Sequence, residues 1–306
     1  MSETALALEL FLRWLDETHR RTFEVTEGWA SSALAVADSH RLAIEVRPIL
    51  VPSDNTEWVA ARDRLEDRIA AAIPAPVAVW VPAGAELPAG EPASEFVEHA
   101  RQAATEFAPL ERSYARLPVT LFLRKTADSG SVVSAAGGLN PHWARFTGRV
   151  NGTFDLDSTR LHRLPDGEEH LEALIETVVE RSSKLEAGKW AEIETIDAWT
   201  VQWLDGEGES TIIAVPASDA RDMGLTVRRN LRRILGEAVP MLRASGSELT
   251  ALVLVGYYAH LEDEGATIAL RGFSPALYGG MDFLVLVTDG LVKPLIQAPP
   301  RVLSFP

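Results

Sequence analysis

The chain has 306 residues, with 29 Lys and Arg against 44 Asp and Glu, a formal net charge of −15 and a pI near 4.9. Hydrophobic residues at 46% and charged residues at 24% exclude wholesale disorder, and the lack of cysteine excludes disulfides, thiolate zinc sites, iron–sulfur clusters and a cysteine nucleophile. The longest apolar run, Ala251–Ala259, is less than half of the ~20 residues that a bilayer span needs. Glu3 and Glu9 stand where a signal peptide needs a basic flank, so the expected location is the cytoplasm.

Taken in chain order, Leu8, Phe11, Leu12 and Leu15 recur at helical spacing over 4–21, with Thr4 as the cap. Segments 28–37 and 41–51 read as an antiparallel hairpin that turns at Asp38–His40. Leu42, Ile44 and Val46 take one face of its second strand, Arg41, Ala43, Glu45 and Arg47 take the other, and Pro48 points to an edge or a bulge. A helix over 55–73 stops at Pro74, followed by a strand over 77–81, a Pro/Gly loop over 82–92 and a helix over 93–111. Strands over 117–125 and 131–136 come next, and the Gly-, Pro- and Asn-punctuated stretch 137–167 marks a boundary. Beyond it lie a helix over 168–187, strands over 192–204 and 210–216, and a helix over 225–243. Strands over 249–259, 266–271, 282–288 and 291–297 close the chain, the last two joined by the hairpin signal Asp289-Gly290.

The expected fold is α/β, with mixed, largely antiparallel sheets flanked by helices, in two halves at 1–140 and 165–306. Both halves read helix, strand, strand, helix, strand. Tandem duplication of one α-β-β-α-β unit explains this order, and so does chance.

Glu45-Val46-Arg47 puts an acid and a cation on one face of a strand, two residues apart. With the element order of residues 4–82, this resembles the core of the PD-(D/E)XK nuclease superfamily. The resemblance implies Mg²⁺ held by an acidic residue and a D/E-x-K tripeptide on neighbouring strands, with the lysine orienting the attacking water. Arg47 stands where that family has Lys, and a guanidinium with a pKa above ~12 cannot take a proton. The second acid is also missing, because the residue opposite Glu45 reads as Ala33. Asp38 is seven residues away, roughly 20 Å along an extended strand. Glu9 or Asp16 on the first helix would have to complete the site. Two functions stay open. A Glu45–Arg47 surface pair on a half-solvated strand suits a non-catalytic binding or scaffold protein with no cofactor. Glu45 as catalytic and metal-ligating residue, with Arg47 and Asp38, suits a Mg²⁺-dependent phosphodiesterase or nuclease.

The helix over 225–243 carries Arg228, Arg229, Arg232 and Arg233 on one face, either an anion site or a solvated face paired with the chain's own acids. Internal pairing of most of them is expected, and with the net charge of −15 it argues against a nucleic-acid partner. The histidines at 19, 40, 99, 142, 162, 170 and 260 form no metal-binding spacing, and no nucleophile elbow, phosphate loop or dinucleotide fingerprint occurs. Tyr257, Tyr258 and the C-terminal hairpin are a candidate homodimer face. Only four of the 29 basic residues are Lys, a bias read as the codon usage of a GC-rich bacterium.

Overall fold

The computed structural model describes residues 2–28, 31–37, 40–49, 56–82, 84–105, 110–165, 167–204, 209–214, 223–256 and 273–297. The expected turn residue Asp38, the strand over 266–271, and Tyr257 and Tyr258 lie outside the described residues. In chain order the elements are α1 (Glu3–His19), β1 (Glu24–Glu27), β2 (Ser32–Ala37), β3 (His40–Pro48), α2 (Thr56–Ala72), β4 (Val77–Trp80), α3 (Glu91–Ala104), β5 (Arg112–Ala127), β6 (Ser131–Gly137) and β7 (Gly152–Ser158). They continue with α4 (Glu168–Ser183), β8 (Trp190–Trp203), β9 (Thr211–Ile213), α5 (Met223–Ala244), β10 (Leu249–Val255), β11 (Phe283–Thr288) and β12 (Leu291–Gln297). Among the described residues, no helix is long and apolar enough to cross a membrane.

The fold is mixed α/β, with two sheets of six strands each. The first runs β1-β2-β3-β10-β11-β12 and the second β6-β7-β5-β8-β4-β9. In the first, β1, β2 and β3 form an antiparallel meander, β3, β10 and β11 run parallel, and β12 returns antiparallel to β11. Every residue of β10 is buried, because α1 covers one face of this sheet and α5 the other. A central parallel strand covered on both faces reads as an unbroken apolar run. The alternation expected along β3 holds: Leu42, Ile44 and Val46 pack in the α1 core, and Ala43 packs under α5.

The division into halves does not hold. β3 pairs with β10 and β5 with β8, so each sheet draws strands from both expected halves. The second sheet is built within residues 77–213, between β3 and the α5–β10 unit that completes the first. The duplication fails with it: β2 and β3 are adjacent, whereas β4 separates β8 from β9. Periodicity along a chain names elements and not their partners.

Three local readings are also corrected. Ser2, not Thr4, caps α1, accepting from the Ala5 N–H at 3.3 Å. Pro48 is on a central strand, but at its last position, and Ile49 N–H resumes pairing at 2.8 Å from the Val255 carbonyl. The stretch read as a boundary holds a 3-10 turn, Asn140–Phe146, and β7, in which Phe154 and Leu156 are buried and Asp155 and Asp157 exposed. In the second sheet α2 and α3 pack over Val79, Trp199 and Val201, and α4 packs over Leu121, Leu123 and Phe154. Ala78, Trp80, Leu204 and Ile213 join the α1 core, so the two sheets abut.

Candidate functional site

β3 sets Glu45 on the α5 face of the first sheet. Its ladder partners are Ser32 on β2 and Leu252 on β10, neither of which offers a carboxylate. The register thus differs by one residue from the expected Ala33 pairing. Arg47 Nη2 lies 2.7 Å from Glu45 Oε2, and the Glu45 side chain is only 5% exposed. The strand is therefore not half-solvated at this point, and Glu45 lines, together with Met241, Leu242 and Ser245 at the end of α5, a cavity of about 450 Å³. Glu9 and Asp16 sit on α1, across the sheet from Glu45, so they do not complete the site. Among the described residues, no group of three or more His, Asp or Glu is placed to hold a metal ion.

The arginines of α5 do not meet the expectation of internal pairing. Arg233 bonds Glu237 at 3.0 Å. Arg228, Arg229 and Arg232 are exposed and have no carboxylate partner among the described residues. Helix geometry explains the difference. Four residues after Arg228, Arg229 and Arg232 come Arg232, Arg233 and Gly236, and only Arg233 meets an acid at that distance. Arg228 and Arg232 lie instead over the ring of Phe273, at 5.3 and 5.1 Å from its centroid.

A polar cluster around Asp197 was not found from the sequence. Asp197 on β8, 3% exposed, accepts from the backbone N–H of His162 at 2.8 Å and of Arg163 at 2.6 Å, and from Trp199 Nε1 at 3.0 Å. Its second oxygen also pairs with His162 Nδ1 at 2.9 Å. His162 lines a cleft of about 470 Å³ together with Glu95, Phe96, His99, Arg160 and Trp199. Arg163, 2% exposed, pairs with Asp289 in the β11–β12 turn and lies over the Tyr114 ring at 5.2 Å. Burial pushes the Asp289 carboxyl up, against the pull of Arg163, Lys293 and Arg112. One signal was available: Asp197 interrupts the apolar stretch Ile196-Asp197-Ala198-Trp199 of β8, and a buried carboxylate requires donors.

No family model, curated protein or solved structure matches the chain.

Proposed function

We propose that the chain is a non-catalytic binding protein on a nuclease-like α/β sheet. The ion pair between Glu45 and Arg47 carries this reading. A metal-dependent phosphodiesterase needs at least two carboxylates on one cation and a group able to orient water. Here one buried carboxylate faces a guanidinium, flanked across the ladder by Ser32 and Leu252. The guanidinium already neutralises the Glu45 carboxylate, so a metal ion would have to compete with it for a single carboxylate. Beside β2 and β3 the first sheet has β10 as the next strand and α5 as the covering helix, in place of the helix over 55–73 and the strand over 77–81 on which the resemblance was read. The helix and strand that follow β3 in the chain, α2 and β4, serve the second sheet. An acidic, cysteine-free chain of this kind suits the cytoplasm.

Calorimetric titration of the full chain with Mn²⁺ tests the reading. No saturable heat is expected in either the native chain or Glu45→Ala. Saturable binding in the native chain that disappears in Glu45→Ala would instead establish a metal site and support the Mg²⁺-dependent phosphodiesterase.

A further inference from the structure

Arg228, Arg229 and Arg232 are three exposed guanidiniums without a carboxylate partner among the described residues, in a chain where acids outnumber bases by 44 to 29. Arg228 and Arg232 are held over one ring, that of Phe273, which is 6% exposed and packed in the α5 core. A guanidinium over an aromatic face is attracted by the ring's negative quadrupole, and its five N–H donors are more than one ring engages. The contact with the ring also restrains two long side chains before any ligand arrives, which lowers the entropic cost of binding. Two like charges on one ring repel each other, and an anion bridging them relieves that repulsion.

We propose that this face of α5 binds a compact phosphate, either inorganic phosphate or the phosphate of a phosphomonoester. The proposal rests on the non-catalytic binding reading and supplies its ligand class. Arginine forks match phosphate oxygens two at a time, and three of them more than neutralise a dianion. The net charge of −15 selects for compactness. Within a Debye length of ~8 Å a small anion meets mainly the local arginines, whereas an extended polyanion meets the repulsive field of the whole acidic surface.

The test is a titration of the full chain at low salt, followed through the arginine Nε–Hε resonances. The probes are inorganic phosphate, glycerol phosphate and a single-stranded oligonucleotide. Saturable shifts confined to Arg228, Arg229 and Arg232 are expected with the first two probes, and the tighter of them identifies the source of the phosphate. Arg228→Gln/Arg232→Gln should weaken binding at least about tenfold, through the loss of two charge-assisted contacts. Arg233→Gln should change it less than about twofold, because Arg233 is already paired with Glu237. Arg228→Lys/Arg232→Lys keeps the charge and loses the planar fork, so it should fall between the two. Far-UV circular dichroism and melting confirm that each variant is folded. Phosphate binding that is absent, or unchanged in the Gln double variant, overturns the proposal, as does tighter binding of the oligonucleotide than of phosphate. Mn²⁺ binding lost in Glu45→Ala would sink the non-catalytic reading and leave the phosphate result standing, so the two failures are distinguishable.

Discussion

Arg163 and Asp289 meet where the two sheets abut, and both are nearly excluded from water. Arg163→Met would leave the Asp289 carboxylate buried without this guanidinium, and a loss of about 3–5 kcal/mol in urea unfolding is expected. Arg163→Met/Asp289→Asn removes both charges and should recover most of that loss. Recovery of none of it would show that the pair is not the source of the cost. The same carboxyl gives stability a pH dependence. Burial raises it above its usual value, so between the two the folded chain holds a proton that the unfolded chain has released. Its contribution to stability therefore falls as pH rises through that window, and Asp289→Asn should remove this component of the slope. The Arg163 and Asp289 positions were not singled out as partners by sequence reading. Asp289 was recognised only as half of a turn signal, and nothing local to it points to residue 163.

At the scale of elements, the Asp289-Gly290 signal was correct. Both residues adopt positive φ, 53° and 72°, as a two-residue type I′ hairpin requires. Helix α5 was also legible, since Leu231, Ile234, Leu235 and Ala238 form the stripe that is buried. Gly236 is an avoidable weakness in its interior, apart from the proline at 240. A Cβ at Gly236 would meet nothing within 4 Å. Gly236→Ala should therefore raise stability by roughly 0.5–1 kcal/mol, through the lower backbone entropy of the unfolded chain, readable as a higher urea midpoint. A lower midpoint would mean that the helix depends on flexibility at this point. β7 escaped sequence reading because its alternation is short and sits among Gly, Asn and Pro residues that signal turns.

At the scale of the molecule, the first sheet depends on both ends of the chain. β3 has β2 on one side and β10 on the other, and residues 56–213 lie between β3 and α5. A fragment ending at 140 would expose the β10 edge of β3 and the Ala43 and Ile49 side chains that pack against the α5 core. It should lack a cooperative urea transition, whereas the full chain should show one. A cooperative transition in the 1–140 fragment would restore the expected division into halves.

The sequence by itself determined the α/β class, most helices and strands and the two faces of β3. Each of these follows from side-chain direction over one or two turns or a few strand residues, which is local geometry. The tertiary structure alone decided which strands are neighbours, that α1 and its acids lie across the sheet from Glu45, and that Ser32 and Leu252 flank that carboxylate. It also decided that Asp197 gathers His162, Arg163 and Trp199. Burial of an apolar strand can be satisfied by any partner that covers it, so a hydrophobic run states that it must be covered and leaves open by what.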